Sequence, residues 1–208
     1  MDAFDSWSEF YRYRKMFRNS VNSIWKIPII KRELPLILAK LKNSSKVLEI
    51  GASSSNRYKP GILEAFPGVE YKSMDVDRQT KQDFYSLDDI TGQYDLIISF
   101  EVVEHLLLNE IMATLKKAYD VTAGNGHIIL STPNIFHPHR FWDSTHKTPL
   151  RYEEISALLM IAGYKDIKVY RKHTEPFLQK MIRHTIGKPL HKMLDIDFAK
   201  TIVVVGRK

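Results

Sequence analysis

Short apolar runs alternate with amphipathic segments along most of the chain. Each run has the length of a buried β-strand and is closed by glycine, proline, arginine or an acidic residue. The predicted strands are KVLEIG (46–51), VEYKSMD (69–75), YDLIISF (94–100), HIILSTP (127–133), YKDIKVYR (164–171) and TIVVVGR (201–207). Strands that alternate with helices at this spacing predict an α/β fold with a doubly wound, Rossmann-like, mostly parallel sheet.

The segments between these runs have the periodicity of helices. Helices are predicted over residues 60–66, 109–122 and 151–163, and two or three more over residues 7–42, interrupted near Pro28 and Pro35. We therefore expect residues 1–45 to form an N-terminal helical lid over the acceptor side. Residues 46–208 are expected to form the Rossmann-like domain, with a basic amphipathic insertion at 172–198.

The positive charge is concentrated at the two ends of the chain. Residues 1–45 carry nine Lys/Arg and four Asp/Glu, residues 171–208 carry nine and three, and residues 46–170 carry thirteen and seventeen. Basic ends on a slightly acidic body indicate an anionic partner, such as nucleic acid, a phosphorylated substrate or a membrane surface. The alternative is that basic surface only aids solubility.

The composition excludes several classes of site. The chain has no cysteine, so disulfides, zinc–thiolate sites and a cysteine nucleophile are ruled out. The charged, aromatic start does not resemble a signal peptide, and no apolar run approaches the ~20 residues of a membrane span. We expect a cytoplasmic protein, with peripheral membrane association through the basic ends as an alternative.

Candidate ligand-binding residues follow the first two predicted strands. In doubly wound sheets, ligands bind beyond the carboxyl ends of the strands. The small-residue loop GASSSN after the first strand lets a ligand approach backbone N–H groups, and Asp75 at the end of the second can accept hydrogen bonds from ribose hydroxyls. The loop lacks the G-x-G-x-x-G pattern of dinucleotide dehydrogenases.

A second candidate site is EVVEH, residues 101–105, which follows the strand YDLIISF. In a helix beginning at Glu101, Glu101 and Glu104 share a face and His105 lies four residues on from Glu101. Two carboxylates and an imidazole suit a divalent cation such as Mg²⁺, Mn²⁺ or Zn²⁺. The alternative is that the helix dipole favours the acids and that His105 bonds a backbone carbonyl.

A histidine-rich loop, STPNIFHPHRFWDSTHKTP, follows the strand of residues 127–132 and can reach EVVEH. It contains His137, His139 and His146, and its prolines stiffen it. A metal can lower the pKa of a hydroxyl, and a histidine can remove its proton, so both arrangements can activate a hydroxyl group.

These stretches resemble the class I S-adenosylmethionine-dependent methyltransferases over roughly residues 44–170, with TIVVVGRK matching the last strand. The motifs that carry the resemblance are VLEIGASSS, YKSMD, KQDFYSL, YDLIISFEVVEHL, GHIILSTPN and THKTPLRYEEI. The resemblance implies a seven-stranded sheet with an antiparallel last strand, and S-adenosylmethionine as cofactor. The implied cofactor-binding residues are Glu49, Gly51, Ala52 and Ser53 at the methionine end, Asp75 at the ribose, Asp83 and Phe84 at the adenine, and Phe100 near the methionine moiety.

The E-x-x-E-H pattern is similar to that of two metal-using groups, the ubiquinone-biosynthesis O-methyltransferases and the small-RNA 3′-terminal 2′-O-methyltransferases. The resemblance implies Glu101, Glu104, His105 and His146 as ligands of Mg²⁺ or Mn²⁺, and His105, His146 and Glu101 as catalytic residues. The STPN and T-H-x-x-P segments are closest to a broader group that includes many methyltransferases encoded with polysaccharide genes.

We expect O-methylation of a sugar, glycan or other small polyol, with phosphorylated and lipid-linked acceptors among the candidates. One alternative is RNA ribose 2′-O-methylation, although no separate RNA-binding domain is evident. Another is a non-catalytic partner subunit, because Ser53 and Ser55 stand where glycines are common in the family. The basic amphipathic stretch 176–194 could contact a membrane, cover the core or form a dimer interface.

Overall fold

The computed structural model describes residues 7–139 and 143–208; the first six residues of the predicted lid and residues 140–142 of the histidine-rich loop lie outside the described residues. The strands are β1 (Ile29–Ile30), β2 (Lys46–Ile50), β3 (Glu70–Met74), β4 (Tyr94–Phe100), β5 (Thr122–Pro133), β6 (Lys165–Lys172) and β7 (Thr201–Arg207). They form one sheet in the order β1-β6-β7-β5-β4-β2-β3. Only β7 runs antiparallel to its neighbours, which confirms the predicted fold class.

The helices fill the intervals that the periodicity indicated. They are α1 (Trp7–Val21), α2 (Leu34–Leu38), α3 (Lys59–Ala65), α4 (Leu108–Val121), α5 (Tyr152–Ala162), α6 (Phe177–Ile182) and α7 (Lys188–Met193), with 3₁₀ turns at Ile24–Lys26 and Val103–His105 and a π-helical turn at Arg183–Gly187. The predicted helix over 151–163 is confirmed as α5, and Gly163 ends it in the left-handed conformation. No helix in the described part of the chain combines the length and the apolar character needed to span a bilayer.

The N-terminal segment is tied to the sheet. The expectation of helices alone over residues 7–42 is incomplete, since β1 adds a parallel edge strand to β6. Pro35 lies in the first turn of α2, where a missing N–H costs nothing, so it begins a helix and does not break one. Phe10 and Phe17 of α1 are buried, and Glu33 forms an ion pair with Lys172 of β6. The lid role of this segment stays a prediction.

Two apolar cores cover the two faces of the sheet. Alternate residues of β4 enter opposite cores, with Ile97 on one face and Leu96 and Ile98 on the other. Because β2, β3, β4 and β5 are parallel, their carboxyl ends meet at one edge of the sheet. The residues that follow these strands therefore form one site.

Candidate active site

The loop after β2 has a backbone shape that depends on glycine at its first position. Gly51 has φ +77°, and a Cβ there would lie 2.2 Å from Val102 Cγ2. The N–H groups of Gly51 and Ala52 donate to the Met74 carbonyl oxygen at 2.8 and 3.2 Å, which ties the loop to the end of β3. The close approach leaves no room for a side chain at Gly51 and shapes a cradle between β2 and the turn after β4.

Ser53 adopts the conformation that a glycine would supply. Its φ is +54°, which costs a non-glycine residue about 1–2 kcal/mol. The Ser53 N–H donates to Asp75 Oδ2 at 2.8 Å, and the Asp77 N–H donates to Asp75 Oδ1 at 2.9 Å. A carboxylate oxygen has two lone pairs, so both oxygens of Asp75 keep capacity to accept a further hydrogen bond. The serine in this loop therefore preserves the glycine-like turn.

A cleft of about 360 Å³ opens over the ends of β2, β3 and β4. Five of the predicted site residues line it: Gly51, Ser53, Asp75, Glu101 and His105. The rest of the lining is mostly apolar and was not predicted: Ile50, Met74, Val76, Leu87, Val102, Leu106 and Thr114. A largely apolar wall with a few polar groups suits a nucleoside-containing ligand. Ile50 and Met74 are the last residues of β2 and β3, and Val76 and Val102 lie two residues beyond β3 and β4, so their place at the strand ends is the sequence signal that could have found them.

Five predicted cofactor-binding residues do not line the cleft: Glu49, Ala52, Asp83, Phe84 and Phe100. Asp83 accepts from the Ser73 N–H at 2.9 Å and from Lys72 Nζ at 3.0 Å, so its carboxylate is held against β3. The Phe84 carbonyl accepts from the Asp75 N–H at 3.2 Å, which positions the loop that carries Asp75. Phe100 packs on the Tyr58 ring, with 4.4 Å between the ring centroids.

Glu49 is buried in β2 and accepts a hydrogen bond from the Tyr71 hydroxyl. Burial raises the pKa of Glu49 from 4.5 to about 7, although the Tyr71 hydrogen bond and the charge of Lys59 oppose the shift. The folded state therefore binds the proton of Glu49 more tightly than the unfolded state. Its contribution to stability is fully present below pH 4.5 and is lost as the pH rises through 7.

Glu49→Gln is expected to be more stable than wild type at pH 8 and nearly equal to it at pH 4. Glutamine stays neutral, so the variant avoids a buried charge worth up to roughly 3 kcal/mol. Denaturant unfolding at several pH values, without cofactor, measures the difference. A difference that does not change between pH 4 and pH 8 would show that Glu49 is not the group that titrates.

Glu101 lies in a turn and not in a helix. The expectation of a helix beginning at Glu101 is wrong, because its φ is +56° and the 3₁₀ turn begins only at Val103. The turn is fixed by β5: the Glu101 N–H donates to the Ser131 carbonyl at 3.2 Å, and Ser131 Oγ donates to Glu101 Oε1 at 2.6 Å. Burial raises the pKa of Glu101.

Glu104, His105 and His146 come together, each with a ligand atom within 4.8 Å of the others. Glu101 lies outside this group. The Lys147 and Thr148 N–H groups donate to the Glu104 backbone carbonyl at 2.7 and 3.1 Å. These bonds hold the THKTP segment against the 3₁₀ turn and place His146 near Glu104 and His105. The three side chains form what we call the Glu–His–His cluster.

The carboxylate of Glu104 is unsatisfied. Glu104 is 2% exposed, and neither of its carboxylate oxygens has a hydrogen-bond partner in the part of the chain that the structure describes. Burial and then the charge of Glu101 raise the pKa of Glu104 to about 8. A buried carboxylate without partners is costly, and a cation between it and the two imidazoles would satisfy it.

A hydrogen-bond chain orients the His105 ring. Thr145 Oγ1 donates to Asp143 Oδ1 at 2.6 Å and lies 2.9 Å from His105 Nδ1. A hydroxyl has one proton, so Thr145 accepts from His105, and Nδ1 carries the hydrogen. The lone pair of His105 is then on Nε2. The His146 ring lies 4.9 Å from the His105 ring, centroid to centroid.

The other two loop histidines lie elsewhere. The His139 N–H donates to His137 Nδ1 at 3.1 Å, and their ring centroids are 4.9 Å apart. Burial, followed by the charge of His139, lowers the pKa of His137 to about 4. Neither belongs to the Glu–His–His cluster among residues 7–139 and 143–208.

Comparison with known proteins identifies the family and the fold. A family model described as a methyltransferase domain matches residues 25–173. A SAM-dependent methyltransferase from Archaeoglobus fulgidus has a TM-score of 0.69 and 18% identity, with 94% of this chain and 100% of that chain covered. One from Mesorhizobium loti has a TM-score of 0.57 and 12% identity, covering 85% and 97%.

A third similar structure is phosphoethanolamine N-methyltransferase 2 of Haemonchus contortus in complex with S-adenosyl-L-methionine. Its TM-score is 0.58 at 13% identity, with 96% of this chain and 56% of that chain covered. At these identities the structural matches show a shared fold. No curated protein sequence matches the chain.

Proposed function

Because the chain belongs to the methyltransferase domain family, we propose that it transfers a methyl group from S-adenosylmethionine to a hydroxyl oxygen of a sugar, glycan or other small polyol. The observation that carries the proposal is the position of the Glu–His–His cluster. His105 belongs both to that cluster and to the wall of the cleft that contains Gly51 and Asp75. A group able to activate a hydroxyl therefore adjoins the expected methyl donor.

The cleft fits the cofactor. Gly51 lets the loop after β2 approach Val102 more closely than a Cβ would allow, and Asp75 keeps lone pairs for the two ribose hydroxyls. Met74, Val76 and Leu87 offer an apolar surface for the adenine. When bound, S-adenosylmethionine supplies an electrophilic methyl group on a sulfonium.

The Glu–His–His cluster fits a divalent cation. It offers one carboxylate and two imidazoles, a donor set that suits Mn²⁺ better than Mg²⁺, which prefers oxygen ligands. Glu104, His105 and His146 would hold the ion, and the ion would lower the pKa of an acceptor hydroxyl. Glu101, which was predicted as a ligand together with these three residues, accepts a hydrogen bond from Ser131 Oγ at the wall of the cleft.

The histidines also serve as proton acceptors in their own right. Thr145 holds the hydrogen on Nδ1 of His105, so Nε2 is available to take the proton of an incoming hydroxyl. An aliphatic hydroxyl needs this help, since it is a weak nucleophile while it keeps its proton. An amine acceptor, once neutral, does not, and for this reason the cluster favours O-methylation.

Transfer of a labelled methyl group from S-adenosylmethionine tests the proposal. The acceptor panel contains free sugars, sugar phosphates, a lipid-linked sugar, amines and a short RNA, each with Mn²⁺ and with chelator. We expect label on a sugar or polyol oxygen, identified by NMR as a methyl ether. Label on an amine or on the RNA ribose would overturn the acceptor class. No binding of S-adenosylmethionine would leave a non-catalytic subunit as the remaining function.

A further inference from the structure

Residues 177–194 form an unusually apolar part of the surface, here called the surface helix. It comprises α6, the π-helical turn, α7 and the following Leu194, and none of these residues is buried. Eight of the fourteen large apolar residues that are exposed in the described chain belong to it, among them Phe177, Met193, Ile186 and Leu178 at 78%, 74%, 70% and 68% exposure. Contiguous exposed apolar side chains mark an interaction surface.

The surface helix turns its apolar face away from the core of the protein. A helix on a globular protein normally turns its apolar face to the core. Here the inward contacts are polar and aromatic: Arg183 bonds Glu175 and lies 3.7 Å from the centre of the Phe198 ring, and the His191 ring lies 6.3 Å from that of Trp25. The apolar face is therefore left outward, held in place by contacts that do not use it.

The π-helical turn brings the two halves of this face into register. A π turn contains one more residue than an α turn closed by the i→i+4 bond, so it shifts the phase of the residues that follow. By helical periodicity the exposed apolar residues of α6 and α7 then share one side, and Lys180, Lys188 and Lys192 flank that side. Without the shift, the apolar faces of α6 and α7 would diverge around the axis.

Charge decides which partner this surface fits. The surface helix contains four Lys/Arg and no Asp/Glu, and no carboxylate lies in ion-pair range of Lys180, Lys188 or Lys192 within the described ranges. A second copy docked by two-fold symmetry would place the same positive charges opposite one another, which is unfavourable. An anionic lipid surface offers both an apolar layer and compensating negative charge.

A basic cleft adjoins the surface helix. It has a volume of about 560 Å³, and its lining includes Lys31, Lys180, His173 and His184. The one carboxylate in the lining, Glu175, is paired with Arg183 and lies 3.1 Å from His173, so the cleft keeps a positive balance. Its size and charge suit the phosphate of a lipid headgroup beside the inserted apolar face.

We propose that the surface helix docks the protein on an anionic bilayer, with Phe177 and Leu178 inserted among the acyl chains and the lysines at the headgroups. The proposal is independent of the acceptor and of the methyl transfer. Once docked, the enzyme works at a membrane surface, where a lipid-linked acceptor would be presented to it.

Co-sedimentation of the full chain with vesicles tests the docking. The vesicles are phosphatidylcholine alone and an equimolar mixture with phosphatidylglycerol, without S-adenosylmethionine. We expect binding to the mixed vesicles only, weakened by high salt. Phe177→Ser/Leu178→Ser and Lys188→Glu/Lys192→Glu are each expected to lower the partition coefficient by at least roughly tenfold.

Matched controls separate an effect of the surface helix from the effect of removing apolar residues or positive charges anywhere on the surface. Leu107→Ser removes an exposed apolar residue elsewhere, and Arg78→Glu/Lys81→Glu reverses two exposed charges beyond β3, at the other edge of the sheet. Both controls are expected to bind like wild type. Equal binding of wild type and the surface-helix variants would overturn the proposal, as would no binding at all. A dimer in solution that Phe177→Ser/Leu178→Ser dissociates would show that a second copy covers the face instead.

Discussion

Replacing Asp75 with asparagine is expected to weaken S-adenosylmethionine binding by about 100-fold or more. Asp75 is the one carboxylate at the end of β3 that lines the cleft, and its oxygens retain free lone pairs. A hydrogen bond to a charged group contributes about 1.5–3 kcal/mol, and the ribose diol can make two. Asparagine has one acceptor oxygen in place of two and no charge. It also loses one of the bonds that hold the Ser53 turn.

Calorimetric titration of S-adenosylmethionine and S-adenosylhomocysteine measures this loss. Asp77→Asn is the matched control, because Asp77 is two residues away and its Oδ1 accepts from the Gln79 N–H at 2.9 Å, outside the cleft. That variant should bind like wild type. If Asp75→Asn binds as tightly as Asp77→Asn, the ribose is held elsewhere and the assignment of the cleft fails.

Alternation of apolar runs and helical segments predicted all of the sheet except β1. Six of the seven strands follow from runs with strand composition, and parallel pairing follows from the helices between them. β1 was missed because two residues show no periodicity, and it is a strand only because Arg171 and His173 donate to the carbonyls of Pro28 and Ile30. Such long-range pairing leaves no local signal.

The site was predictable where a residue simply follows a strand. Gly51 and Asp75 line the cleft because the carboxyl ends of parallel strands meet. Glu101 was placed in a helix because local spacing allowed one, whereas Ser131, thirty residues away, holds it in a left-handed turn. His146, and not His137 or His139, joins Glu104 because backbone bonds anchor residues 147 and 148 to it.

The structure also shows how Ser53 can replace a glycine in the loop after β2. Ser53 differs from the family pattern of glycines, which left a non-catalytic subunit open as an alternative. The structure shows that serine adopts the left-handed backbone, with its N–H bonded to Asp75. Asp75 and the loop therefore support one another, and the departure from the pattern does not remove the cradle.

Replacing Glu104 with glutamine is expected to lower Mn²⁺ affinity and methyl transfer by at least about 100-fold each. The amide preserves the shape of the side chain but removes the only carboxylate of the Glu–His–His cluster. S-adenosylmethionine binding should persist, because Glu104 does not line the cleft. Titration of Mn²⁺, followed by paramagnetic resonance of the free ion, and single-turnover transfer measure the two effects.

Glu101→Gln is the informative comparison for Mn²⁺ affinity, since it changes the same type of side chain at a position that is bonded to Ser131 and lies outside the cluster. Its Mn²⁺ affinity should fall much less than that of Glu104→Gln. His146→Ala then separates the two chemistries that the cluster allows. If His146→Ala abolishes transfer while Glu104→Gln retains both transfer and Mn²⁺ binding, the histidines act as proton acceptors and no cation is needed. If both variants lose Mn²⁺ and transfer together, the buried carboxylate of Glu104 is a metal ligand, which also accounts for its lack of any hydrogen-bond partner among the described residues.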